Sequence, residues 1–203
     1  STLSKKSNGQ NGNEAKTPAT TSATASSTSK SDKKDSTLRD IFIDCLKDVY
    51  SAENQLLKAM PEVAKACYNE ELEDAFNRHF EQTKRQVERL DKIFSRMNIE
   101  KGEKKCEAMA GLIEEIRSTI KDYNESPARD SALIIGAQKI EHYEIASYGS
   151  LCELADVLGY HQAGSLLDRT LQEEGDTDHL LTELAMDIND AAAEQEFEVN
   201  HNK

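Results

Sequence analysis

The sequence predicts an all-α protein: four long helices in two antiparallel pairs, joined by one long crossover that carries an extra short helix. Three observations predict it. Apolar residues recur at alternating steps of three and four through five separate segments, the spacing of helices that pack one face. Proline is scarce: after the first 36 residues only Pro61 and Pro127 occur, so long helices meet few breaks. The links are unequal, short between the first two long helices, long between the second and third, and short again before the fourth.

Residues 1–36 are rich in Ser, Thr, Lys, Asn and Gly. They carry too little apolar area to offset the entropy of ordering, which predicts a disordered low-complexity tail ahead of a bundle domain over 37–190. The tail is Ser-rich and acid-poor, as a transit peptide is, but it has neither Arg nor an apolar stripe. The first helix opens at Ser36 or Thr37, with Ser36 able to cap it and Asp40 in the early turns, where the helix dipole favours an acid. Its stripe runs Leu38, Phe42, Cys45, Val49, Leu56, Met60, Val63 and Cys67, so Pro61 is expected to bend the helix rather than end it. After a break at Tyr68–Glu71, the second stripe is Leu72, Phe76, Phe80, Val87, Leu90, Phe94 and Met97. A shorter helix over 103–123 presents Cys106, Met109, Leu112, Ile113, Ile116 and Ile120. The third long helix, 129–158, presents Leu133, Ala137, Ile140, Tyr148, Leu151, Ala155 and Leu158, with Gly159 as a stop. The fourth, 161–190, presents Ala163, Leu167, Thr170, Leu171, Leu181, Leu184, Ala185 and Ile188; residues 191–203 read as a frayed polar end. Two antiparallel pairs joined by one long crossover is the connectivity of a ferritin-like four-helix bundle. The rival is an up-down-up-down bundle with an added helix.

The formal net charge is −13, and because the tail is itself basic the bundle is more acidic still. That argues against a nucleic-acid partner, which needs clustered Lys and Arg. It suits a soluble protein, or one that attracts cations. No apolar run approaches the ~18 residues of a membrane span, so no membrane partner is expected, and no signal-peptide pattern is present. Cys45, Cys67, Cys106 and Cys152 form no CxxC pair and fall among apolar residues, which predicts buried reduced thiols in a cytoplasmic protein rather than disulfides or a thiolate metal site.

Four acids stand on faces that should be apolar. Glu53 lies four after Val49 and three before Leu56; Glu141 lies four after Ala137; Glu144 lies seven from both Ala137 and Leu151; Glu174 lies seven from both Leu167 and Leu181. His142 points outward by the same arithmetic. On the second helix His79 is in the stripe with Thr83, Gln82 and Gln86 border it, and Glu81 points away. Asp178 flanks Glu174, and Tyr148 stands one turn from Glu144, where it can supply a phenol. No Lys or Arg is evident in the seam to neutralise these acids, and unpaired buried charges cost several kcal/mol each. A divalent metal would compensate them, and carboxylate with imidazole suits iron or manganese. The alternatives are a polar core without metal and acids that face water or a second copy. No Gly-rich phosphate loop, GxSxG or recognisable Cys–His spacing occurs, so no catalytic residue is named.

The blocks "TLRDIFIDCLKDVYSAENQLLKAMPEVA", "RHFEQTKRQVERLDKIF", "KCEAMAGLIEE", "AQKIEHYEIASYGSL" and "LLDRTLQEEGDTDHLLTELA" together resemble the YciF-like stress proteins over about residues 37–190. The resemblance implies a ferritin-like bundle, often a homodimer, with a di-metal site on Glu53, Glu141, Glu144 and Glu174. The family usually shows His then Glu three later on the second helix. Here His79 is followed by Gln82, and Lys84 stands where some members carry His. A ferritin-type ExxH is also missing, since Thr177 stands three after Glu174. Two functions are expected: a di-iron or di-manganese oxidoreductase that handles peroxide or oxygen, or a non-enzymatic stress or scaffold protein with a weak or vestigial metal site.

Overall fold

The computed structural model describes residues 37–201, so the tail predicted over 1–36 lies outside the described residues. Five helices follow in order: α1 Leu38–Lys65, α2 Glu70–Met97, α3 Glu107–Asp122, α4 Pro127–Val157 and α5 His161–His201. Among the described residues there is no strand.

The helix ends follow local chemistry. Thr37, not Ser36, caps α1: its hydroxyl accepts from the Asp40 amide at 3.1 Å while Asp40 accepts from the Thr37 amide at 3.1 Å. The helix passes Pro61 unbroken to Lys65, and its core stripe begins at Phe42, since Leu38 is 48% exposed. Asn69 caps α2, which stops at Asn98 in the left-handed region (φ 52°). Pro127 occupies the first turn of α4, where its missing N–H costs nothing, so this helix opens before the expected residue 129. It ends before Gly159 at φ +72°, with the Tyr160 amide reaching back to the Ala155 carbonyl at 2.7 Å. The sequence ends the bundle at 190 and expects fraying beyond. Instead α5 continues to His201, because Ala191–Ala193 and Glu194–Glu196 are good helix formers, although residues 193–199 stand exposed.

Side-chain pairings set the topology. Along α1 and α4, Tyr68 meets Asp130, Glu53 meets Tyr148, and the Phe42 ring meets Tyr160 just past α4, so these helices run antiparallel. His79 meets Thr177, Gln86 meets Glu174 and Arg89 meets Thr170, which makes α2 and α5 antiparallel as well. In an up-down-up-down bundle α1 and α4 would be parallel, and that rival is excluded. The chain therefore returns along the bundle between α2 and α4. α3 makes the return beside α1, with the Cys106 amide on Ser51 at 2.9 Å near its start and Arg117 on Glu62 at 3.1 Å near its end. Gly136 lets α3 approach α4: a Cβ there would lie 2.6 Å from Ile116. This is a ferritin-like four-helix bundle with one long crossover carrying a short helix.

Two apolar cores result. One gathers Leu56, Met60, Leu72 and Phe76 with Met109, Ile113, Ile116, Leu133 and Leu181. The other gathers Phe42, Leu46, Leu90, Phe94, Tyr148, Leu151 and Leu167. Apart from Arg129 and Asp130 at the start of α4, the buried polar residues of the long helices fall in sequence between the two: Glu53, then His79 to Arg89, then Glu141 and Glu144, then Thr170 and Glu174.

Candidate metal centre

Each acid sits in this layer because its helix keeps an apolar rhythm on both sides of it. The rhythm places Glu53, His79, Glu141, Glu144 and Glu174 inward, all at most 6% exposed. One ligand atom from each of His79, Glu141, Glu144 and Glu174 lies within 4.8 Å of every other, drawn from α2, α4 and α5. Glu53, from α1, is not one of the four, although its charge acts on Glu141, Glu144 and Glu174. It accepts a hydrogen bond from Tyr148 and leaves its second oxygen buried without a partner. The phenol predicted near Glu144 is thus fixed on Glu53.

The four-residue group is chemically unfinished. Both oxygens of Glu144 and one each of Glu53, Glu141 and Glu174 are buried without a hydrogen-bond partner. Burial pushes Glu53 up to about 7, against the pull of Tyr148 and Arg89. Burial, then the neighbouring carboxylates, raise Glu141, Glu144 and Glu174 well above the usual range. His79 is driven down to about 4 by burial, so its 3.3 Å approach to Glu141 is that of a neutral imidazole. Thr177 gives its hydroxyl hydrogen to the Glu173 carbonyl at 3.0 Å, so its oxygen accepts from His79 Nδ1 over a long 3.5 Å. That assignment leaves the Nε2 lone pair facing the acids, as a metal ligand requires. The residue standing in place of the ExxH histidine thus orients the histidine of another helix. Three carboxylates and one imidazole with free lone pairs fit iron or manganese by donor type.

Two expectations need correction. A cation does lie beside the seam: Arg89, 6% exposed, holds the Glu173 carboxylate with two hydrogen bonds of 2.5 and 2.7 Å and also reaches Thr170 at 3.1 Å. Gln86 borders nothing; it is fully buried and donates to Glu174 at 2.5 Å. Both were legible in principle. The true seam of α2 runs Phe76, His79, Thr83, Gln86, Leu90 and Ile93, in steps of three and four. The predicted stripe stepped aside to Phe80 and Val87, which are only half-buried, because it followed apolar type rather than spacing.

The remaining candidates stand outside the group. Gln82 is half-buried and does not join it. Asp178 is half-buried and meets Gln138 at 3.4 Å and the exposed His142 at 3.4 Å. Lys84 is exposed on Glu81. Of the four cysteines, all free, only Cys106 is buried; Cys45, Cys67 and Cys152 are half-buried at helix edges. No helix among the described residues is long and apolar enough to cross a membrane.

Residues 37–194 match a family described as a domain of unknown function, DUF892. The chain is 50% identical over 151 residues to the protein YciF of Escherichia coli strain K12, covering 74% of this chain and 91% of that protein. Its fold superposes on the crystal structure of that stress protein with a TM-score of 0.74, at 48% identity, over 76% of this chain and 98% of the other. A Rhodopseudomonas palustris protein named YcfI superposes at 0.72 with 33% identity, over 74% of this chain and 96% of that one. A two-domain Anabaena variabilis protein containing a ferritin-like domain superposes at 0.51 with 18% identity, over 77% of this chain and 39% of that one, a likeness of fold alone.

Proposed function

The chain belongs to the DUF892 family of YciF-like proteins, and from that premise we propose that it is a ferritin-like metal–carboxylate protein of the stress response. One observation carries the reading: four buried ligand atoms of the types iron and manganese take lie within 4.8 Å of one another. His79, Glu141, Glu144 and Glu174 would hold the first ion, and Glu53, with its buried unpartnered oxygen, would complete a second position. A bound iron or manganese pair would supply redox chemistry toward peroxide or oxygen. The chain's own part is to exclude water from the layer, to fix His79 through Thr177, and to hold Glu53 through Tyr148. The protein works in the cytoplasm as a homodimer; four free cysteines are in keeping with a reducing compartment.

A second reading has its own observation. Arg89, which pairs with Glu173 and lowers Glu53, and Gln86, which donates to Glu174, compensate part of the buried charge without metal, and raised carboxyl pKa values let protons do the rest. On that reading the protein is a non-enzymatic stress scaffold with a vestigial site.

Melting curves with and without Fe(II) or Mn(II) test the first reading, together with elemental analysis of protein purified without chelator. Ligand at ~100 times Kd stabilises by about 2.7 kcal/mol, roughly 5–10 °C for a domain of this size. The rise should vanish in Glu141→Ala and Glu144→Gln. An unchanged melting temperature in the native chain sinks the metal reading; bound metal without peroxide or oxygen turnover favours the scaffold.

A further inference from the structure

We propose that the apolar cavity between α1, α2, α3 and α4 binds a small apolar molecule of dioxygen's size against His79 and Glu141. The cavity encloses about 30 Å³ and is walled by Leu56, Met60, Phe76, Ile113, Ile116 and Ile140. One water needs about 10–15 Å³, so the space admits one diatomic molecule or two waters. Its polar surroundings decide between them. His79 and Glu141 form the inner wall and already face each other at 3.3 Å. At the rim, Arg117 and Glu62 pair at 3.1 Å, each about half exposed. A water wants two to four polar partners, and the space presents almost none: the unpartnered oxygen of Glu141 and Nε2 of His79 are themselves shielded from it. Hydrogen peroxide, with two O–H donors, would leave its hydrogen bonds in bulk solvent. An apolar diatomic gas loses nothing on entry.

The sequence builds the space. Ala59 on α1 and Ala137 on α4 line it where larger residues would fill it. Gly136, beside Ala137, lets Ile116 drop close to α4, so α3 roofs the cavity rather than standing off. The opening at Glu62 and Arg117 is the side on which α3 crosses α1. What the gas meets inside rests on the metal reading above: with His79 and Glu141 as ligands, the cavity delivers dioxygen, not peroxide, to the ion. The occupancy itself does not depend on metal.

Xenon is the probe, applied to the full metal-free chain and followed by methyl NMR. Saturable shifts are expected at Ile113, Ile116 and Ile140, with none at Leu46 or Leu151 in the other core. Ala137→Leu fills the cavity and should abolish them; Ala59→Leu, from the opposite helix, serves if the first variant melts early. Shifts that never saturate, or that persist in a folded filled variant, overturn the proposal. Metal content is read separately. Metal bound by a chain that takes no xenon defeats the cavity alone, and xenon bound by a chain that takes no metal supports the cavity while defeating the metal reading.

Discussion

On α4, Asp130 is 0% exposed and Glu144 is 1% exposed, yet their oxygens meet different surroundings. Asp130 stands at the start of the helix and accepts the Tyr68 amide at 2.9 Å and the Asn69 amide at 2.7 Å, at the turn that leads into α2. Burial raises it, and those amides and Arg129 pull back. Glu144 stands at mid-helix, where every backbone amide is spent within a helix, and neither of its oxygens has a partner. The lesson is positional. A buried acid at a helix end can be satisfied by backbone, whereas one at mid-bundle must be satisfied by a side chain, a proton or an ion.

That contrast can be broken most forcefully at Asp130. Asp130→Ala takes the fully buried acceptor from the Tyr68 and Asn69 amides at the α1–α2 turn and should cost about 2–3 kcal/mol, read as a fall in the urea unfolding midpoint at unchanged slope. A loss below about 1 kcal/mol would mean that water replaces the carboxylate and that Asp130 is not the lock drawn here.

Glu144→Gln should act in the opposite direction. In metal-free protein it replaces an acid that burial and its neighbours Glu53 and Glu174 hold toward the protonated form, and should stabilise by about 1–2 kcal/mol at neutral pH. The gain must depend on pH. Glu144 holds its proton more tightly folded than unfolded, so its favourable contribution is present below its ordinary value of 4.5 and is lost as pH rises. Glu53 loses its share through about 7. His79 runs the other way, its contribution present above 6.5 and lost as pH falls toward about 4. The variant keeps His79, so the difference from wild type isolates the acids: it should be near zero at pH 4 and widen toward pH 7. Chemical denaturation at both values checks this, and a gap that narrows with pH would refute the buried acid layer.

The smallest effect belongs to His142, one residue from Glu141 but exposed. His142→Ala removes only a solvent-facing contact with Asp178 and should change stability by less than about 0.5 kcal/mol and leave metal uptake unaltered. Lost uptake would place this imidazole in the site and erase the distinction between the two faces of α4.

Much of this was legible in the chain. The three-and-four rhythm of Phe42, Val49 and Leu56, or of Ala137, Ile140 and Leu151, marks the face that packs, and the acids on that face are buried. That rhythm puts Glu53, Glu141, Glu144 and Glu174 on buried faces and turns His142 outward, where it stands 69% exposed. Gln86 reads as bordering the stripe rather than in it, and Arg89 does not stand out at all, because polar type hides them, although α2 carries the same rhythm through Gln86 and beside Arg89.

The sequence by itself determined the helices, the acidic inward faces and the uneven links, because these depend on local periodicity and chain length. Only the tertiary structure decided which acids share one point and which are already satisfied. Distances between α1, α2, α4 and α5 follow from packing angles and side-chain reach, not from spacing along any one helix. So it was folding that gave Glu53 a tyrosine, Glu174 a glutamine and Glu173 an arginine, and left Glu144 with neither oxygen bonded.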